Sequence, residues 1–152
     1  MFRYQDDCIV FNDNHLFLHH WRRIYPEEEQ TNSGNISTVL DLKIQQKVNT
    51  FDYESYNKRD DFNFDTISYP NLKSNIPLKP SYGVFTSQLV RYCNVNNHHA
   101  KFAEDVRALA SKLKIQYFDR LTLKAQFRKF YGNNLWRWSK FGTDIAYAAN
   151  LI

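Results

Sequence analysis

Two adjacent aspartates separate two short apolar runs at the start of the chain, Met1-Phe2-Arg3-Tyr4-Gln5-Asp6-Asp7-Cys8-Ile9-Val10-Phe11-Asn12. Apolar and aromatic residues predict one strand from Phe2 to Tyr4 and another from Cys8 to Phe11. The polar residues Gln5, Asp6 and Asp7 between them predict a tight turn. The stretch is therefore predicted to form a β-hairpin that carries two neighbouring carboxylates at its tip.

Paired carboxylates in a turn allow two interpretations. Mg²⁺ prefers hard oxygen ligands and is often held by one or two carboxylates together with substrate phosphates. Asp is also common in turns for a local reason, because its side chain hydrogen-bonds to the nearby backbone. Asp6 and Asp7 are therefore candidate metal ligands, and an ordinary acidic turn is the alternative.

Downstream of the hairpin, the spacing of apolar residues changes twice. Aromatic and apolar residues at helical spacing predict a helix over residues 15–25. Apolar and polar residues then alternate over residues 38–44, which predicts a single half-buried strand, and they alternate again over residues 50–56. These two strands are predicted to pair as a hairpin across residues 46–49.

The second half of the chain is predicted to be helical. A connector over residues 57–80 contains Pro70, Pro77 and Pro80, which disfavour a long helix there. From Ser81 onward two apolar stripes predict two helices, with Tyr82, Phe85, Leu89 and Tyr92 in the first stripe and Phe102, Val106, Leu109, Ala110 and Leu113 in the second. A third helix is predicted from about Tyr117 to Tyr131, with Gly132 as its C-cap.

The third predicted helix carries three cations four residues apart, Arg120, Lys124 and Arg128, which we call the basic ridge. Apolar residues flank it on both sides: Phe118, Leu121 and Ala125 on one, and Leu123, Phe127 and Phe130 on the other. A basic ridge between aromatic flanks suits a nucleic-acid backbone. Long basic side chains that cover an ordinary helix surface give the same pattern, and this is the alternative.

The charges are unevenly divided along the chain. Residues 1–76 carry 8 Lys and Arg against 12 Asp and Glu, whereas residues 77–152 carry 12 against 4. An acidic half that suits cations and a basic half that suits phosphates are typical of a nucleic-acid enzyme, although basic helices are also ordinary solvated surface.

Cysteine content and hydropathy indicate where the chain functions. Cys8 and Cys93 form no metal-ligand pattern and are expected to be free thiols in a reducing compartment. No apolar run approaches the roughly 18 residues that would span a bilayer, and charged residues interrupt any N-terminal signal peptide. We therefore expect no membrane partner and an intracellular location, cytoplasmic or nuclear.

These patterns predict an α+β fold in four parts. An α+β unit of hairpin, helix and strands covers residues 1–56, and the irregular connector covers residues 57–80. A bundle of about three helices covers residues 81–132, and a short tail covers residues 133–152.

Three landmarks occur in one order along the chain: Phe2-Arg3-Tyr4-Gln5-Asp6-Asp7-Cys8-Ile9-Val10, then Ile24-Tyr25-Pro26-Glu27-Glu28, then Val39-Leu40-Asp41-Leu42-Lys43-Ile44. The first resembles the Tyr-x-Asp-Asp box of reverse transcriptases. In this order the chain resembles the C-terminal half of a reverse-transcriptase domain from a eukaryotic retroelement, of a non-LTR or Penelope-like kind. Further strings with this resemblance are Tyr56-Asn57-Lys58-Arg59-Asp60-Asp61-Phe62-Asn63-Phe64, Ser74-Asn75-Ile76-Pro77, Tyr82-Gly83-Val84-Phe85 and Ser87-Gln88-Leu89-Val90-Arg91-Tyr92, so that it covers roughly residues 1–132.

The resemblance implies an RNA-directed DNA polymerase with a partial palm followed by a thumb-like bundle. Asp6 and Asp7 would be catalytic ligands of Mg²⁺ or Mn²⁺, and Tyr4 and Gln5 would lie near the primer terminus. The strand that ends at Ile44 and the hairpin after it would grip the primer. The helices would hold a primer–template duplex through phosphates, using Arg120, Lys124 and Arg128.

The chain also departs from the family. The family's first metal-binding aspartate lies on a strand upstream of the hairpin, and this sequence has no counterpart of that strand or of the fingers. Two-metal chemistry needs ligands on both sides of the ions. We therefore expect the isolated chain to be inactive and to need the polymerase's N-terminal half as a partner. The alternative is a non-catalytic helical module that binds nucleic acid or protein.

Overall fold

The computed structural model describes residues 2–4, 7–10, 20, 23, 34–64 and 69–138. Within these residues the strands are β1 (Phe2–Tyr4), β2 (Asp7–Ile9), β3 (Ile36–Val39), β4 (Leu42–Gln46) and β5 (Phe51–Ser55). A 3₁₀ helix, Lys58–Asp61, precedes the helices α1 (Leu78–Val95), α2 (His99–Ile115), α3 (Arg120–Asn133) and the short α4 (Leu135–Trp138). A three-stranded antiparallel sheet followed by three long helices confirms the predicted α+β class.

The N-terminal hairpin forms as predicted, with a different boundary. β1 and β2 are antiparallel, and Phe2 lies opposite Ile9 while Tyr4 lies opposite Asp7. Asp7 is therefore the first residue of β2, whereas the sequence predicted it in the turn. Of the predicted helix over residues 15–25, only the helical positions His20 and Arg23 are among the described residues.

The single strand predicted over residues 38–44 is wrong, because β3 ends at Val39 and the chain turns back into β4 at Leu42. Leu40 has a φ of 51°, in the left-handed region, and its side chain is 52% exposed. The turn lacks the Gly or Asn that normally marks such a position, so the alternation of apolar residues continued across it. The predicted pairing of the next two strands is confirmed, with Gln46 opposite Phe51 and Leu42 opposite Ser55.

The helices follow the predicted apolar stripes. Phe85 and Leu89 of α1 are fully buried, as are Phe102, Val106 and Leu113 of α2. The first helix begins at Leu78 rather than Ser81, so Pro80 lies inside it. Proline is tolerated in the first turn, because the backbone N–H groups there have no intrahelical acceptor.

The predicted bounds of the third helix are wrong at both ends. Tyr117 has a φ of 66°, and α3 starts only after Asp119, whose side chain accepts a hydrogen bond of 2.7 Å from the backbone N–H of Thr122. Such an N-cap satisfies one of the free N–H groups of the first turn. Gly132, predicted as the C-cap, lies within α3, and Asn134 is the C-cap.

The three long helices pack around one shared apolar core. The Tyr82 ring packs edge-on against Phe118, with 4.9 Å between the ring centroids. The Thr86 hydroxyl donates a hydrogen bond of 3.4 Å to the side-chain oxygen of Gln126. The core also contains Leu123 and other apolar side chains of α3, Phe127, Phe130 and Tyr131.

Two asparagines at the corner between α1 and α2 attach the sheet to the bundle. Asn97 donates its backbone N–H to Tyr53 (3.2 Å) and accepts the N–H of Tyr53 on its side-chain oxygen (3.3 Å). Asn96 is fully buried; its Oδ1 accepts the Ser55 N–H (2.8 Å) and its Nδ2 donates to Asp105 (2.8 Å). The outer edge of β5 is thereby bonded to side chains of the helical corner.

Asp52 on β5 should make the stability of this junction depend on acid. A contact with the Lys47 ammonium, with further hydrogen bonds from Asn97 and His98, lowers the pKa of Asp52 to about 2. A carboxyl with a depressed pKa in the folded state stabilises the fold above its unfolded pKa of about 3.9, and this stabilisation is lost as the pH falls toward 2. We expect Asp52→Asn to flatten the fall in melting temperature between about pH 4 and pH 2.

The measurement is a thermal unfolding series at constant ionic strength, with Lys47→Gln as the companion variant. Lys47→Gln removes the largest cause of the shift, so its curve should lie between those of the parent and Asp52→Asn. If both variants follow the parent curve over this range, Asp52 is not the group responsible.

Candidate nucleic-acid interface

The basic ridge lies on the outer surface of α3. Hydrogen bonds from the side chain and backbone of Thr122 hold the pKa of the N-cap Asp119 below its ordinary value. From this start the helix turns once per 3.6 residues, which brings Arg120, Lys124 and Arg128 to one side. Arg120 and Arg128 are exposed and Lys124 is half-buried. The structure thus brings these three predicted residues together on one face.

The aromatic flanks expected beside the basic ridge are not at the surface. Phe127 and Phe130 are 2% and 3% exposed, and Phe118 is 3% exposed. These rings belong to the core and do not offer a face on which a base could stack. Leu121, at 76% exposed, is the large apolar side chain that remains open beside the ridge.

The ion pairs of the described residues are concentrated where the sheet meets the bundle. Asp41 pairs with Arg91 (2.8 Å), and further pairs are Lys43 with Glu54, Lys47 and His98 with Asp52, and Lys101 with Glu104 and Asp105. Farther along the bundle, Lys124, Arg128 and Lys129 form no ion pair with a described residue. Residues 106–138 contain one acid, Asp119, and eight bases: Arg107, Lys112, Lys114, Arg120, Lys124, Arg128, Lys129 and Arg137. Two of these pairs, Asp41 with Arg91 and Asp52 with His98, join the sheet to the helical part, whereas bases greatly outnumber acids over residues 106–138.

The predicted residues of the hairpin lie at or beyond the limits of the described chain. Tyr4 and Asp7 face each other across the backbone ladder, and their side chains are outside the described part, as are Gln5 and Asp6. Among the described residues no group of three His, Cys, Asp or Glu side chains is placed to hold a metal ion. The adjacent carboxylates of Asp6 and Asp7 would supply the oxygen ligands that suit Mg²⁺ or Mn²⁺.

A groove between α1 and α3, with a volume of about 470 Å³, was not predicted from the sequence. Lys79, Gly83 and Thr86 line it from α1, and Thr122, Gln126 and Lys129 are among the residues that line it from α3. On each helix the spacing of three or four residues places these positions on one face, and this is a signal that the sequence contains. Which two helices face each other depends on the packing, which the sequence did not reveal.

An exposed aromatic side chain also lies close to the start of α3. Tyr117 is 53% exposed, and the Lys73 ammonium lies 3.7 Å from the centre of its ring. This distance is typical of a cation–π contact.

No helix of the described residues is both long and apolar enough to cross a membrane.

Comparisons with protein-family models, curated proteins and solved structures found no match to this chain.

Proposed function

We propose that the helical bundle binds nucleic acid through its phosphates, as the duplex-holding part of a reverse-transcriptase-like protein. The observation that carries this proposal is the separation of charge in the fold. The acids near the sheet are paired there, whereas Lys124 and Arg128 form no ion pair with any described residue. Unpaired cations on an exposed helix are available to a polyanion, because no carboxylate competes for them.

The geometry of the basic ridge suits a phosphate backbone. A helix rises about 1.5 Å per residue, so cations four residues apart are spaced by about 6 Å along the axis. One strand of duplex DNA carries a phosphate about every 3.4 Å of its axis. Long, flexible Arg and Lys side chains at this spacing can therefore reach successive or alternate phosphates of one strand.

This arrangement favours binding without sequence preference. Contacts to phosphates set position and orientation but carry no direct sequence information. The aromatic rings of α3 are buried in the core and cannot stack on bases. We therefore expect similar affinity for duplexes of unrelated sequence.

A salt titration of the whole chain with a fluorescently labelled 20-base-pair duplex, followed by anisotropy, tests the proposal. Phosphate contacts make the logarithm of the binding constant fall linearly with the logarithm of salt concentration. A binding constant that stays the same between 50 and 200 mM salt would contradict the proposal and favour the protein-interaction alternative. Unlabelled polyglutamate is the competitor that separates general attraction to an acidic polymer from nucleic-acid binding.

A second proposal concerns polymerase chemistry at the N-terminal hairpin. The observation in its favour is the antiparallel pairing of β1 with β2, in which Tyr4 lies opposite Asp7, because the resemblance to reverse transcriptases implies such a pairing. Asp6 and Asp7 would together hold Mg²⁺ or Mn²⁺, and Tyr4 and Gln5 would lie near the primer terminus. The bound ion would supply charge stabilisation at the transferring phosphate, and the chain's own part would be to hold the carboxylates in place.

If the hairpin binds metal, Mg²⁺ should raise the melting temperature of the parent chain but not of Asp6→Asn/Asp7→Asn. Ligand at about ten times its dissociation constant stabilises the native state by about 1.4 kcal/mol, which corresponds to a few degrees. The chain provides a matched control in its other acidic pair, and Asp60→Asn/Asp61→Asn should keep the response. Thermal unfolding with Mg²⁺ against NaCl of equal ionic strength measures it. Equal loss in both double variants would show a general charge effect.

A further inference from the structure

The groove between α1 and α3 is lined by cations and neutral hydrogen-bonding groups. Lys79 and Lys129 lie on opposite walls, and none of the residues that line the groove is Asp or Glu. Neither lysine forms an ion pair with a described residue. Gln126 adds an amide group, and Thr122 adds a hydroxyl that donates to the carboxylate of Asp119, a residue outside the lining. A concave site with two unpaired cations and no carboxylate in its lining is complementary to an anion.

Gly83 keeps the α1 wall of the groove open. It lies inside α1, where glycine is less favourable than alanine. A Cβ built at this position meets nothing within 4 Å, so no close packing inside the fold excludes a side chain. Because Gly83 also lines the groove, a larger side chain here would take up space at the α1 wall.

The groove and the basic ridge are on different sides of α3. At about 100° per residue, Thr122, Gln126 and Lys129 lie roughly opposite Lys124 and Arg128. The buried stripe that includes Leu123 and Phe127 runs between the two sets. One short stretch of a ligand therefore cannot lie in the groove and along the ridge at once.

We propose that the α1–α3 groove binds the phosphodiester backbone of a single strand, as a second nucleic-acid site separate from the basic ridge. This inference rests on the proposed function. Packed helices have axes only about 8–10 Å apart, so the space between two of them is narrow. The major groove of a duplex is alone about 12 Å wide, so a whole duplex is too broad to enter, whereas one extended strand fits. Lys79 and Lys129 would each contact a phosphate.

The central experiment fills the groove without changing the charge. Gly83→Leu places a side chain in the open space and replaces glycine by a better helix former. Gly132→Leu is the matched control, because Gly132 is also helical, exposed and without a neighbour within 4 Å of a built Cβ, but does not line the groove. We expect Gly83→Leu to weaken binding of labelled oligo(dT)20 about tenfold and Gly132→Leu to change it less than about twofold, on the scale of one or two lost phosphate contacts.

A second arm removes charge. For single strands each phosphate contact contributes about 0.7 to the salt slope, so Lys79→Gln/Lys129→Gln should make the slope for oligo(dT)20 less steep by about 1.4. Lys58→Gln/Lys114→Gln removes the same number of charges at two exposed positions outside the groove, and should change the slope less. Circular dichroism and melting temperature establish that every variant is folded.

The outcomes separate the two proposals. If Gly83→Leu and the lysine pair bind oligo(dT)20 like the parent while ridge variants bind duplex weakly, the groove proposal is overturned and the proposed function stands. If ridge and groove variants both bind like the parent, both proposals fall. If polyglutamate of equal charge displaces oligo(dT)20 from the parent and not from Gly83→Leu, the groove takes an acidic peptide, and the nucleic-acid assignment is overturned.

Discussion

Replacing Arg120, Lys124 and Arg128 together by glutamine is expected to lower the affinity for duplex DNA on the order of 10²-fold at 0.1 M salt. Each phosphate contact to a duplex contributes about 0.9 to the slope of log affinity against log salt, so three lost contacts make it less steep by about 2.7. Glutamine keeps a long polar side chain and a good helix propensity, so α3 should remain intact. Anisotropy titrations at several salt concentrations give both quantities.

A charge-matched triple variant distinguishes the basic ridge from net charge. Lys58, Arg107 and Lys114 are exposed, form no ion pair with a described residue and lie away from the outer face of α3. Their replacement by glutamine removes three positive charges, the same number as in the ridge variant. We expect a loss well below that of the ridge variant, because these side chains contribute only to the long-range field. Equal losses would mean that the chain binds through its overall charge and that the ridge has no special role.

Asn96→Ala is expected to lower the free energy of unfolding by about 2–5 kcal/mol. Asn96 is fully buried, and its loss leaves the Ser55 N–H without its acceptor and the Asp105 carboxylate without one of its donors. A buried polar group that loses its partner costs about 1–3 kcal/mol, and more when it is charged. Two such groups at one site account for the expected range.

Urea unfolding of the parent and the variant measures this loss, and amide hydrogen exchange locates it. The Ser55 amide, and the Tyr53 amide bonded to neighbouring Asn97, should exchange much faster in the variant, because the sheet loses its attachment to the bundle. Asn133→Ala, at an exposed position in the last turn of α3, is the control and should change stability by less than about 0.5 kcal/mol. Unchanged exchange at Ser55 would contradict the role assigned to Asn96.

Local patterns were sufficient to predict the three long helices, although not all their bounds, and the pairing of the first two strands. The stripe that includes Phe102, Val106 and Leu113 has the period of an amphipathic helix. This period places the three residues on one face of the helix, and that face is buried. The Leu40 turn was missed because a leucine occupies a left-handed position where sequence signals expect glycine or asparagine. The start of α3 was placed too early because Tyr117 and Phe118 fit the apolar pattern, although the N-cap Asp119 was visible in the sequence.

The two candidate sites also differ in how far the sequence could predict them. The basic ridge depends on spacing within one helix, so the sequence contained it. The α1–α3 groove depends on which two helices pack against each other, and no local pattern specifies that. The role of Asn96 and Asn97 is also non-local: in the sequence they end a helix, and only the packed sheet shows what they bond.

The bonding of β5 to Asn96 and Asn97 has a consequence for how copies of this chain meet. A free strand edge presents N–H and C=O groups that can pair with a strand of another molecule, which is a common start of aggregation. The outward amides of Tyr53 and Ser55 are already occupied by side chains from the α1–α2 corner. At Tyr53 and Ser55, Asn96 and Asn97 therefore take the place of a further strand, and a strand of another molecule cannot bond to these two amides.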